Sequence, residues 1–280
     1  MPRLQLAFLT LLSILAFAGN SLLCRLALQQ GHIDPASFTL VRLFSGTAIL
    51  LLLVNRRGSR SPYRGDWLSG LALFVYMAGF SLAYVRLPAA TGALLLFGAV
   101  QATMIGYGFW RGERLCKRQT VGGVMAFGGL LALLSPGFST AWPGASMLML
   151  AAGMAWGVYS LRGRGVGDPL AMTTSNFCCA VGFAVLFSLV EWADILFDTL
   201  GIVLAVLSGA LASGVGYALW YQALRGLSAI HAATVQLSVP VLVAIGGILF
   251  LGEPVSLNFL IVGVLILGGI TMTIIPAHNK

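Results

Sequence analysis

The sequence predicts an all-α membrane protein: ten transmembrane helices, arranged as two inverted five-helix repeats around a central cavity. Three observations carry this. Of the 280 residues, 59% are hydrophobic and 9% charged, whereas a soluble domain carries about 25% charged residues. Apolar runs of spanning length recur along the whole chain. The two halves share motifs in the same order.

A helix needs roughly 20 apolar residues to cross a hydrocarbon core of about 30 Å. By that measure the spans are 4–28, 36–54, 67–86, 89–110, 120–136, 143–161, 169–191, 199–224, 229–251 and 256–276. Inside lipid only a helix or a closed barrel satisfies its own backbone polar groups. A barrel needs alternating strands, and residues 48–54 (AILLLLV) do not alternate. The first run follows Met1-Pro2-Arg3 and contains Ala16-Phe17-Ala18, which mimics a signal peptide with its cleavage site. We read it as a retained span, because residues 19–28 continue the helical pattern.

The net charge of +8 does not indicate a nucleic-acid partner. The basic residues stand in short runs between apolar stretches, as cytoplasmic loops do, with no interleaved aromatic face. Arg56, Arg57, Arg60 and Arg64 separate spans two and three; Arg111, Arg114, Lys117 and Arg118 separate spans four and five. Arg162, Arg164 and Arg225 fall on the same side. Glu191, Asp194, Asp198 and Glu253 dominate the other, despite Arg25 and Arg86. The rule that positive loops stay inside then puts both termini in the cytoplasm. Cys24, Cys116, Cys178 and Cys179 lack metal-ligand spacing. No metal and no cofactor is expected, and a monomer is favoured.

The repeats are specific. Residues 68–70 (LSG) recur at 207–209, residues 123–129 (GVMAFGG) match 263–269 (GVLILGG), and Asp34-Pro35 matches Asp168-Pro169. Arg111-Gly112-Glu113 matches Leu251-Gly252-Glu253, and Pro136 matches Pro276. The expected boundaries are 1–138 and 139–280. Five spans per half is an odd number, so the second half must lie inverted relative to the first. Inverted repeats characterise secondary transporters, with the solute near the midplane.

Residues 217–225 (YALWYQALR) lead into 228–234 (SAIHAAT), followed by Pro240, Gly252-Glu253-Pro254 and the glycine-rich last span. With Arg42-Leu43-Phe44 in span two, this resembles the drug/metabolite transporter superfamily in its ten-helix EamA-type branch. Within the branch it looks most like aromatic amino acid exporters of the YddG type. The first half departs from the pattern: Val100 or Gln101 stands where Pro240 stands in the second. The resemblance implies a bacterial inner-membrane exporter with spans 1, 3, 4, 6, 8 and 9 around the cavity and spans 5 and 10 outside. It implies a small-molecule solute, an aromatic amino acid, moved by alternating access without enzymatic chemistry.

The residues themselves offer candidates for that cavity. Tyr76, Phe80 and Tyr84 share a face of span three. Tyr217, Trp220 and Tyr221 form a patch in span eight, and Trp156 and Tyr159 fall in span six. Aromatic rings suit an aromatic solute, although Tyr and Trp near span ends also serve as interfacial anchors. Asn20, Gln101, His231, Thr234 and Ser238 supply polar groups for an amino or carboxylate group, or else for interhelical hydrogen bonds. Gln236 points elsewhere. Of these, Asn20, Tyr76, Phe80, Tyr84, Gln101, Trp156, Tyr159, Tyr217, Trp220, Tyr221, His231 and Ser238 make up the expected substrate site.

Arg42 is the one basic residue well inside a span. It is expected to serve structure, by snorkelling or pairing with Asp34. No Asp or Glu falls at mid-span, which argues against a pump for cationic drugs and leaves His231 as the titrating candidate. The glycines of spans five and ten read as helix packing; no strand or Gly-Lys-Ser motif accompanies them. Rival expectations are another solute on the same fold, such as threonine or a cysteine-pathway metabolite, and a scaffold that transports nothing. The topology is directly testable. Single cysteines introduced at Arg60 and Arg114 should react with a membrane-impermeant thiol reagent from the same side of the bilayer; labelling from opposite sides refutes the arrangement.

Overall fold

Asp at a helix start accepts the backbone N–H groups that the first turn leaves unpaired. Four of the described helices begin that way. The computed structural model describes residues 2–57, 65–112, 116–134, 143–163, 168–191, 195–227, 235–254 and 256–274. Its helices are α1 (Arg3–Gln29), α2 (Pro35–Arg56), α3 (Trp67–Tyr84), α4 (Ala89–Trp110), α5 (Lys117–Leu134), α6 (Pro143–Arg162), α7 (Pro169–Val190), α8 (Thr199–Leu224), α9 (Ser238–Leu251) and α10 (Leu257–Ile274). Asp34, Asp66, Asp168 and Asp198 cap α2, α3, α7 and α8. Pro35 and Pro169 then occupy the first turn, where the missing N–H costs nothing.

Seven helices, α1 to α4 and α6 to α8, are long and apolar enough to cross a membrane. The helices α9 and α10 are apolar but shorter, and α5 opens on Lys117 and Arg118. The outer surface is apolar: Phe250 is 77% and Val264 72% exposed, which water would penalise and lipid does not. The positions Arg60, Arg64, Glu113, Arg114, Asp194, His231 and Thr234 lie outside the described residues.

The sequence halves interleave instead of forming separate bundles. The helices α3 and α4 pack on α6, α1 packs on α8 and α9, and α5 packs on α10. The helix α2 lies against both α7 and α8. Each of these pairs joins a helix before residue 138 to one after 139.

Glycine sets how closely they approach. On α5 and α10, a Cβ at Gly122 would lie 2.5 Å from the Gly269 carbonyl and 2.6 Å from Met272 Cβ. A Cβ at Gly153 would lie 2.5 Å from the Leu96 carbonyl, so α6 sits directly on α4. At Gly209 it would strike the Arg42 backbone. That last contact falls in a π-helical stretch, Leu207–Val215, inside α8. Sequence reading expected an uninterrupted α-helix there. The wider turn directs Ser208 toward α1, where its hydroxyl donates to Asn20 (2.7 Å), and Ser213 toward α2, where its hydroxyl accepts from Arg42 (3.0 Å).

Ion pairs fasten both ends of the bundle. At one end Arg25 of α1 donates to Glu253 (2.8 Å) and to the carbonyls of Tyr84 and Val85. The other carboxylate oxygen of Glu253 accepts from the Ala89 N–H (2.7 Å). Both side chains are buried. Four chain segments thus meet at one ion pair, the ends of α1, α3 and α9 with the start of α4. At the same end residues 32–34 run antiparallel to 196–198: Asp34 N–H donates to the Leu196 carbonyl, and Asp198 N–H to the His32 carbonyl, each 2.8 Å. His32 Nδ1 lies 2.6 Å from Asp198 Oδ2. The Gly201 N–H and His32 together hold the Asp198 carboxyl below its ordinary range.

At the opposite end Arg162 of α6 donates to Asp66 (2.8 Å) and Ser69 (3.0 Å). Burial pushes the Asp66 carboxyl up, but the Arg162 and Ser69 hydrogen bonds outweigh it and bring it down to about 2.

Two outcomes follow. Gly128 has open space at its Cβ position, so Gly128→Ala should stabilise by about 0.5–1 kcal/mol through backbone entropy. Gly122→Ala should cost about 1–3 kcal/mol by forcing α5 and α10 apart; thermal unfolding in detergent separates the two. Glu253→Gln leaves Arg25 buried without its anion, a loss of about 3–5 kcal/mol. Cys24, fully buried and next to Arg25 in the chain, should then react with a thiol reagent once Cys116, Cys178 and Cys179 are serine. Unchanged Cys24 reactivity would show that the ion pair does not keep that end closed.

Candidate functional site

One cavity lies where α1, α3, α4, α6 and α8 converge, lined by Phe17, Asn20, Ser21, Tyr76, Phe80, Leu96, Phe97, Trp156 and Tyr217. Its walls follow from helix periodicity. Residues 17, 20 and 21 share one face of α1, and 76 and 80 share one face of α3. The interleaved packing turns these faces toward one another.

Trp156 is the centre of the aromatic wall. Its ring centroid lies 4.9 Å from Tyr76, 4.9 Å from Tyr217, 5.5 Å from Tyr159 and 6.5 Å from Phe17. Phe17 also meets Tyr217 and Trp220 edge-on, at 5.9 and 5.6 Å. The Phe17 contacts are the edge-on arrangement that ring quadrupoles favour, while Trp156 meets Tyr76, Tyr217 and Tyr159 with its plane tilted by 48°, 49° and 35°. An inserted ring would find both faces and edges to stack on.

Polar groups are few and specific. Asn20 accepts from Ser208 through Oδ1, so what it offers the cavity is N–H. Tyr76 accepts from Arg42 Nη2 at 3.2 Å. The buried Tyr217 hydroxyl has no hydrogen-bond partner. The cavity is narrow, about 20 Å³, and one water needs roughly 10–15 Å³ on this measure. A solute larger than water requires the helices to part.

Five of the twelve expected site residues line this space: Asn20, Tyr76, Phe80, Trp156 and Tyr217. Tyr159, Trp220 and Tyr221 are not in the lining: Tyr159 contacts Trp156, Trp220 meets Phe17, and Tyr221 packs against the core. Tyr84 is buried against Phe80 at 4.6 Å, with its hydroxyl donating to the Ala89 carbonyl. Gln101 is buried with Nε2 unpartnered, away from the cavity lining. Ser238 is exposed and donates to the Val235 carbonyl, closing the turn before α9. Gln236, expected to point elsewhere, is buried.

Phe17, Ser21, Leu96 and Phe97 line the cavity without having been among the expected site residues. A serine beside Asn20 and an apolar pair within an apolar run carry no periodic signal of their own. The expected pairing of Arg42 with Asp34 does not form: Asp34 accepts from the Ser37 and Leu196 N–H groups. Arg42 is instead fully buried between α2, α3 and α8. No Asp or Glu stands at mid-helix among the described residues, in line with the expectation, although Glu253 is buried beyond the end of α9 in its pair with Arg25.

Comparison with known proteins agrees with this architecture. An uncharacterized protein of Pseudomonas aeruginosa is 53% identical over 281 residues, covering 100% of this chain and 98% of that protein. A solved crystal structure superposes with a TM-score of 0.69 over 97% of this chain and 98% of the other at 20% identity, a likeness of fold. Residues 5–135 and 143–275 each match the EamA-like transporter family. By these matches, which cover most of its length, the chain belongs to the EamA-like transporter family, multi-pass membrane proteins that move small solutes.

Proposed function

We propose that this transporter exports aromatic amino acids and related small metabolites across the bacterial inner membrane by alternating access, with the cavity around Trp156 as the solute site. The observation that carries the reading is the wall of six aromatic rings, Phe17, Tyr76, Phe80, Phe97, Trp156 and Tyr217, broken by a few hydrogen-bonding groups. Such a wall suits an aromatic side chain, and the N–H of Asn20 and the hydroxyls of Tyr76 and Tyr217 suit its polar backbone end.

Ten spans in two inverted halves, with both termini cytoplasmic, complete the reading. The caps at Asp34 and Asp168 support it, because they recur at matching points of the two repeats. The moving bodies are not the sequence halves. One group, α3, α4 and α6, and another, α1, α8 and α9, each mix both halves, and the cavity lies between them. Rocking one group against the other widens the cavity toward one face while the groups stay in contact at the opposite end. The Arg25–Glu253 pair lies within the second group; its hydrogen bonds to the Tyr84 and Val85 carbonyls and from the Ala89 N–H join the two groups and must break for that end to open.

Counterflow in proteoliposomes tests the solute. Trp156→Ala removes four ring neighbours, each pair contributing about 0.5–1.5 kcal/mol, and should lower phenylalanine and tryptophan exchange by about tenfold or more. The variant should still elute as a monodisperse protein. Unchanged exchange, or exchange of threonine with none of phenylalanine, removes the aromatic assignment.

A further inference from the structure

Burying a charge is costly unless a counter-ion or several hydrogen bonds meet it. Arg42 is buried at 0% exposure. Nε donates to Ser213 (3.0 Å) and Nη2 to Tyr76 (3.2 Å), while Nη1 has no hydrogen-bond partner. The guanidinium carbon lies 5.5 Å from the Tyr76 ring centroid and 5.2 Å from that of Phe80. Ring faces offset part of a buried cation but carry no formal charge. Among the described residues no carboxylate is bonded to it. Glu253 is occupied by Arg25 and Ala89, and Asp34 by Ser37 and Leu196.

The location matters as much as the deficit. Both rings that face the guanidinium line the cavity, and so does Tyr217 with its unpartnered hydroxyl. Tyr76 receives the Arg42 N–H on its oxygen, so its own proton is left to donate onward. Donation into that oxygen beside a full positive charge makes the hydroxyl a stronger donor.

We infer that Arg42 selects carboxylate-bearing solutes, acting through Tyr76, whose hydroxyl binds the solute carboxylate with Tyr217 beside it. This rests on reading the aromatic cavity as the solute site. Arg42 is here a positioning residue: it supplies the missing half of an ion pair that the solute completes. The same charge repels an amine that lacks a carboxylate. A phosphorylated solute would call for several cations, and Arg42 is alone at this wall among the described residues. The solute class is therefore a monocarboxylate with an apolar body.

Thermal stabilisation of the purified full-length chain in detergent reads this without flux. The panel is phenylalanine, hydrocinnamate, isocaproate, phenylalaninamide and phenethylamine. Carboxylates should stabilise the wild type with apparent affinities at least about tenfold above those of the amide and amine, the value of one charged hydrogen bond. Arg42→Gln should abolish that ratio, Tyr76→Phe should lower it, and Arg42→Lys should keep part of it. A merely structural Arg42 predicts instead that all ligands weaken together, and that result overturns the inference. So does a carboxylate preference retained in Arg42→Gln, or no carboxylate preference in the wild type. Should Arg42→Gln fail to fold, the Lys and Tyr76→Phe variants decide by the same ratio. If isocaproate stabilises as well as hydrocinnamate, the aromatic assignment fails while the charge assignment stands.

Discussion

Hydrocarbon offers no hydrogen bond to a backbone or side chain, and this constraint organises the rest of the molecule. Each long apolar run closes its N–H and C=O groups within its own helix. Where helices begin, Asp34, Asp66, Asp168 and Asp198 take up the orphan N–H groups. Between helices, water cannot be squeezed out to drive association, because lipid tails are as apolar as leucine. Contact area must come from close approach, and glycine supplies it at the α5–α10, α4–α6 and α2–α8 seams. The solvent thus explains why this chain can spend 35 glycines and still hold together.

The same constraint makes buried polar groups informative. Most are met: Asn20 by Ser208, Thr39 by Ser81, Arg25 by Glu253. Tight glycine seams on the flanks contrast with bulky rings at the centre, where Trp156, Tyr76 and Tyr217 hold the backbones apart. The π-helical stretch of α8 belongs to this contrast. A wider turn re-aims two serines, one toward each of α1 and α2, where a regular helix would present a single face to one neighbour. Polar order around the cavity depends on that local irregularity.

Apolar run length was enough to place most helices, because spanning length is a property of consecutive residues. The expected spans 89–110 and 199–224 coincide with α4 and α8, and 36–54, 143–161 and 169–191 differ by one or two residues at their ends. Asp-Pro pairs marked two starts correctly. Rotation about a helix axis was less legible, since an all-round apolar helix has no strong face. Tyr76, Phe80 and Trp156 reached the cavity wall while Ser238 turned outward. Pairings between distant segments were hidden altogether: Arg25 and Glu253 stand 228 residues apart and look like two loop charges. The π stretch is equally silent, because Ser208, Gly209 and Gly214 suit an α-helix nearly as well. Interleaving of the halves is a fact of packing that a repeat in sequence does not contain.

Energetics connect the closed end to the solute site. A ligand shifts a conformational equilibrium only by the difference in its affinity for the two states. In the closed arrangement the cavity holds about 20 Å³, too little for an amino acid, so a solute binds only as the bundles separate. Separation costs ring contacts around Trp156 and, at one end, the hydrogen bonds of the Arg25–Glu253 pair with the Tyr84 and Val85 carbonyls and the Ala89 N–H. On the proposed function, a solute must return comparable interactions: a ring in place of the parted rings, and an anion for the charge at Arg42. A solute with only one of these would bind without opening the path, or open it too rarely to be carried. Selectivity and gating would then draw on the same few contacts, which is economical in a membrane where polar groups are costly to bury.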